Sequence, residues 1–73
     1  MTWNYRVIKH RDMLEIYEVY YNKKGEIIGV TEDPASPGGE TLEELQEDME
    51  HYAAALKRPM LIMEEIVFGD HDE

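Results

Sequence analysis

The sequence predicts an α+β domain: a three-stranded antiparallel sheet in the order β-β-β-α, one helix packed on one sheet face, and room for a fourth strand at an edge. Three observations carry this. Runs rich in β-branched and aromatic residues fill the first half of the chain. A loop with two prolines and two glycines in residues 33–39 then interrupts them. A single stretch with helical apolar spacing follows, opened by a capping pattern. At 73 residues the chain accommodates one domain, assigned to residues 1–68, because a domain needs roughly 50 residues or more to enclose a core.

Residues 3–9 alternate, with Trp3, Tyr5 and Val7 on one face and Asn4, Arg6 and Ile8 on the other. This is a first strand. His10, Arg11 and Asp12 form a polar break before residues 14–21, which have the highest strand propensity in the chain. Leu14, Ile16, Glu18 and Tyr20 share one side of that second strand, and Glu15, Tyr17, Val19 and Tyr21 the other, so both sides carry large apolar groups and the strand belongs in the centre of the sheet. Residues 22–25 close a hairpin, with Gly25 in the left-handed position, and residues 26–32 make the third strand.

Thr41 and Glu44 fit the capping box, in which the threonine oxygen accepts the amide three residues on while the glutamate reaches back to the cap. Leu42, Leu45, Met49, Tyr52 and Leu56 then recur at spacings of 3 and 4, which predicts one stripe facing the core, with Glu43, Glu47, Asp48 and Glu50 between them. Lys57 and Arg58 suit the negative end of the helix dipole, and Pro59 ends the helix near residue 57. Residues 60–68 are apolar and are read as an edge strand, although periodicity leaves a helical turn open. The last five residues, 69–73, are small and acidic and are read as a disordered tail.

Composition narrows the function classes. There are 17 acidic and 7 basic side chains, a net charge of −10, and no cysteine. Disulfides, thiolate metal sites and cysteine nucleophiles are thereby excluded, and small scaffolds without such staples commonly rely on a partner subunit. Nucleic-acid backbones are held by clustered Lys and Arg, so direct nucleic-acid binding is not expected. No apolar run approaches the roughly 20 residues that cross a bilayer; no membrane association and a cytoplasmic location are expected. His10, His51 and His71 form no paired metal-ligand pattern, and Ser36 stands outside a GxSxG context. Gly38 and Gly39 precede a helix start crowded by Glu40, Glu43 and Glu44, which repels phosphate. No catalytic, cofactor-binding or metal-ligating residue is assigned, and no cofactor is expected.

What the residues do favour is association. A sheet with large groups on both faces and one helix leaves an aromatic-bearing face uncovered, and exposed apolar patches mark interaction surfaces. A homodimer is expected, with Trp3, Tyr17, Val19 and Tyr21 as sheet-face interaction residues. Glu43, Glu47 and Glu50 form an acidic helix face suited to a basic protein partner. The expected function is a small, acidic, non-catalytic, dimeric interaction module. A ligand-binding protein or enzyme with a site near the sheet aromatics and the 33–39 loop is an alternative.

Over residues 3–59 the chain resembles a group of short bacterial proteins of no assigned activity that share a WxYRVI opening, an EVYY strand, a TEDP turn and a GETLEELxxD helix start. This resemblance implies a bacterial source. More distantly, Gly39, Thr41, Glu43 and Glu44 are similar to the GxTxEEA-like helix opening of the HicB-like antitoxin domain. That resemblance implies three strands, a helix and a further strand, and a protein that inhibits a small basic RNA-cleaving toxin by covering it.

Overall fold

The molecule is organised by one long hairpin. In the computed structural model, which describes residues 2–71, β1 (Thr2–His10) and β2 (Met13–Tyr21) pair antiparallel along their full length, from Thr2 opposite Tyr21 to His10 opposite Met13. Arg11 and Asp12 make the turn with φ of 55° and 65°, the doubly left-handed geometry of a type I′ turn, whose twist matches that of the strands. Asp tolerates this region through its short polar side chain, whereas Arg has no such local compensation.

β3 (Ile27–Val30) pairs antiparallel with β2, shifted in register between Tyr20 and Tyr21. The intervening turn uses Gly25 at φ 82°, the left-handed residue expected there. A two-residue strand, β4 (Leu61–Ile62), adds parallel to the outer edge of β1, opposite Ile8 and Lys9, so the mixed sheet runs β3-β2-β1-β4. The expected edge strand over 60–68 is thus reduced to two paired residues. Met63–Glu65 then form a 3₁₀ turn that directs the chain out of the sheet plane.

Between β3 and β4 lies α1 (Leu42–Ala54), extended by a 3₁₀ turn at Ala55–Lys57. Thr41 Oγ1 accepts the Glu44 amide at 3.1 Å. The Glu44 carboxylate accepts from the Glu40 amide at 2.9 Å rather than from Thr41, so the capping box reaches one residue further out than predicted. Arg58 is extended before Pro59, which fixes the stop.

The two sheet faces have separate cores. Tyr5 and Ile16 pack against Ala55 on the helix side, bordered by Val7, Ala35 and Tyr52. On the opposite side Ile8, Tyr17 and Val19 are buried beneath Leu61, Met63 and Ile66. The C-terminal segment therefore runs across this second face as a strap, from the β1 edge at β4 to the β3 edge, where the Gly69 amide donates to the Ile27 carbonyl at 2.7 Å. The sheet face expected to be open for dimerisation is closed by the chain itself. Within the expected disordered tail, Gly69 and Asp70 are hydrogen-bonded, and residues 72–73 lie outside the described residues.

One buried side chain ties turn, strand and strap together. Asn22 Oδ1 accepts the amides of Lys24 and Glu26, each at 2.9 Å, while its Nδ2 donates to the Glu26 carboxylate and to the Asp70 carbonyl, each also at 2.9 Å. The strap approaches so closely here that a Cβ on Gly69 would lie 2.7 Å from Glu26 Cβ. Replacing Asn22 by Ala strands several of these groups, at about 1–3 kcal/mol for a buried group left unpaired. Chemical denaturation of Asn22→Ala is expected to show a loss of about 2 kcal/mol, with hydrogen exchange at the Gly69 amide accelerating more than exchange in β1.

Candidate interaction surface

Of the stripe that its sequence advertises, the helix packs only Tyr52 against the sheet. Its sheet-facing contacts come from Asp48, Tyr52 and Ala55. Tyr5 donates its hydroxyl to Asp48 Oδ1 at 2.9 Å, and the other carboxylate oxygen accepts the Gly38 amide at 2.9 Å. The Tyr52 ring meets Tyr5 edge-on at 5.5 Å between centroids, and its hydroxyl donates to the Ala35 carbonyl at 3.3 Å. Ala55 is small enough to bring the helix end onto β1, and it alone is fully buried in this region.

At about 100° per residue, this orientation turns Leu42, Leu45, Met49 and Leu56 to one flank. Their exposures are 78%, 36%, 49% and 71%, and none of the residues of α1 is buried. Four of the five residues of the predicted core stripe are therefore exposed and only Tyr52 meets the core, because the sheet supplies a polar anchor, Tyr5, that selects Asp48 instead of the leucines. Leu14 is exposed nearby, and an open groove of about 460 Å³ between strand and helix has Val7, Leu14, Tyr52 and Leu56 in its lining together with the polar Glu15 and Ser36.

The predicted sheet-face residues do not share one surface. Trp3 lies on the helix side of the sheet, half-exposed, its ring edge-on to Tyr5 at 5.2 Å and tilted against His51 at 6.5 Å. Tyr17 and Val19 are buried on the other side under the strap. Tyr21 is half-buried there; its hydroxyl donates to Asn4 Oδ1 at 2.8 Å and accepts from Arg6 Nη1 at 3.1 Å. Glu43, Glu47 and Glu50 are all exposed on the solvent side of α1, as an acidic helix face requires.

Electrostatics around the anchor favour the protonated tyrosine. Burial, then the hydrogen bond to Asp48, push the Tyr5 hydroxyl up to about 12. Tyr20 is also raised, chiefly because it donates to the Glu18 carboxylate at 2.6 Å, and Tyr17 is raised mainly by burial. Among the described residues no cluster of His, Asp and Glu could hold a metal ion, and no helix is long and apolar enough to cross a membrane.

Compared with known proteins, the chain matches no family model, and neither a curated protein nor a solved structure is significantly similar to it.

Tyr5 gives this packing a pH signature. Its hydroxyl ionises near 10 in the unfolded chain and near 12 in the folded one, so between these values the folded state holds more protons and stability falls as pH rises. Tyr5→Phe is expected to cost roughly 1 kcal/mol at neutral pH through the lost hydrogen bond. The same substitution flattens the fall in denaturation midpoint from pH 10 toward pH 12 relative to the parent.

Proposed function

We propose that this protein is a non-catalytic interaction module that binds a protein partner through the exposed flank of α1. The observation that carries this reading is the apolar stripe of Leu42, Leu45, Met49 and Leu56, left outside by a helix with no buried residue. A surface of this kind costs solubility in an isolated molecule and is offset when a partner covers it. Leu14 and the adjacent groove extend the surface onto β2.

A second reading, an inhibitor of a small basic toxin in the manner of the HicB-like antitoxins, is supported by the β-β-β-α-β element order and by the exposed Glu43, Glu47 and Glu50. In that reading the net charge of −10 attracts a basic partner, and added salt weakens the complex.

Photo-crosslinking in cells tests the first reading and separates it from the second, in which Glu47 faces the partner. A crosslinking residue at Gln46, on the solvent border of the stripe, is expected to give a discrete adduct, whereas one at Glu47, on the opposite side of the helix, gives none. Equal labelling from both positions, or none from Gln46, removes the proposal. Adduct mass separates a second copy of this chain from a basic partner.

A further inference from the structure

We infer that the outer edge of β1 from Trp3 to Tyr5 pairs antiparallel with the same edge of a second copy of this chain, joining two four-stranded sheets into one. This edge is separate from the α1 flank, and the inference holds whatever that flank binds. Main-chain geometry identifies it. The carbonyls of Glu18 and Ile16 accept the amides of Thr31 and Ala35 at 3.0 and 2.8 Å, so the even-numbered residues of β2 turn their main-chain groups away from β1. Odd-numbered residues of β2 therefore bond to β1, where Val19 is opposite Asn4 and Tyr17 opposite Arg6. The amides and carbonyls of Trp3 and Tyr5 are left pointing out of the sheet.

β4 adds to this edge only at Ile8 and Lys9, and among the described residues the four outward groups of Trp3 and Tyr5 have no main-chain partner. The same edge thus already accepts a strand at one end and stands open at the other. Natural sheets blunt open edges with proline, lysine or a bulge; residues 2–7 contain neither residue, and their pairing with β2 runs without a shift. Arg6, the one charged side chain among them, is tied to the Tyr21 hydroxyl and the Pro59 carbonyl.

Register and charge select the occupant. A twofold axis beside Asn4 sets Trp3 opposite Tyr5 of the second copy and Tyr5 opposite its Trp3, both as hydrogen-bonded pairs, so all four outward groups of each chain are satisfied at once. It also gives the Trp3 ring, 48% exposed, an aromatic neighbour across the new edge. The hollow of about 360 Å³ beside this edge is lined by Trp3, Asn4, Tyr5, His51, Ala54 and Arg58, with no carboxylate among them. The carboxylates near Trp3 line a separate hollow, which reaches Glu18 on β2 and the glycines of the 38–39 loop. On a chain of net charge −10, the β1 edge is a surface that two copies bring together without setting acid against acid.

Amide hydrogen exchange of the full chain across a concentration series, with sedimentation equilibrium alongside, tests the pairing. A dimer is expected at about 100 μM, a concentration at which micromolar complexes form. Exchange at the Trp3 and Tyr5 amides is expected to slow about tenfold when about nine-tenths of the chain is paired, while Asn4 and Arg6, already bonded to β2, change less. Trp3→Pro removes an amide that bonds to nothing within one chain, and symmetry deletes two ladder bonds from the dimer, so self-association is expected to weaken more than about tenfold. Trp3→Ala keeps the amide and is expected to weaken it less. Asn4→Cys supplies a readout that does not depend on either variant: the chain has no other cysteine, and the axis places the two thiols across a non-hydrogen-bonded pair with Cα atoms about 4.5 Å apart, within disulfide reach. Oxidation is expected to give a covalent dimer from Asn4→Cys and none from Thr2→Cys, which the register sets opposite Arg6 of the second copy. A chain that stays monomeric at about 100 μM with both amides exchanging fast leaves the edge to water and overturns the inference. So does a dimer in which those amides exchange as in the monomer, one that tolerates Trp3→Pro as well as Trp3→Ala, or equal crosslinking from the two cysteine variants.

Discussion

Neither face of the β1–β2 hairpin can be left to water, and the rest of the structure answers that constraint. Ile16 and Tyr17 are adjacent in sequence, point to opposite sides of β2, and are both buried. One helix covers only one of those sides. The strap from β4 to Asp70 supplies the second cover by crossing the Ile8, Tyr17 and Val19 face and fastening to β3 through Ile27 and Asn22. Among the described residues no segment covers the outer flank of the helix.

That flank is exposed because the helix is held by polar and small groups. The bonds from Tyr5 and Gly38 to the Asp48 carboxylate, together with the close approach of Ala55, fix its rotation. A turn of the helix that buried Met49 and Leu45 would break both bonds to Asp48 and leave the Tyr5 hydroxyl beneath the helix without its acceptor, a penalty comparable to the gain from burying a side chain. The same anchor thus stabilises the monomer fold and presents an apolar surface outward.

Much of the framework was legible in the sequence. Strand alternation placed Tyr5 and Val7 together on one face and Ile8 on the other, Gly25 marked the left-handed turn, and Thr41 with Pro59 bracketed the helix. These are local preferences of backbone and side chain, which a short window of residues contains. The I′ turn was less visible, because Arg11 and Asp12 lack the Asn-Gly signature of that geometry.

Apolar periodicity identified α1, but of the stripe it predicted only Tyr52 meets the core. A stripe at helical spacing reports amphipathicity; whether it meets the core depends on which groups the sheet offers across the gap, and here Tyr5 offers a hydrogen-bond donor that matches Asp48. The strap was hidden for a related reason. Residues 60–68 are apolar enough for an edge strand, yet their path is set by the vacant Tyr17 and Val19 face and by Asn22, more than 40 residues away from Asp70 in the chain. Sequence by itself determined the elements, their order, the charge and the absence of cysteine chemistry. Tertiary structure alone decided which faces are covered and which is left outside, because burial is settled by competition among distant segments for the same two sides of one sheet.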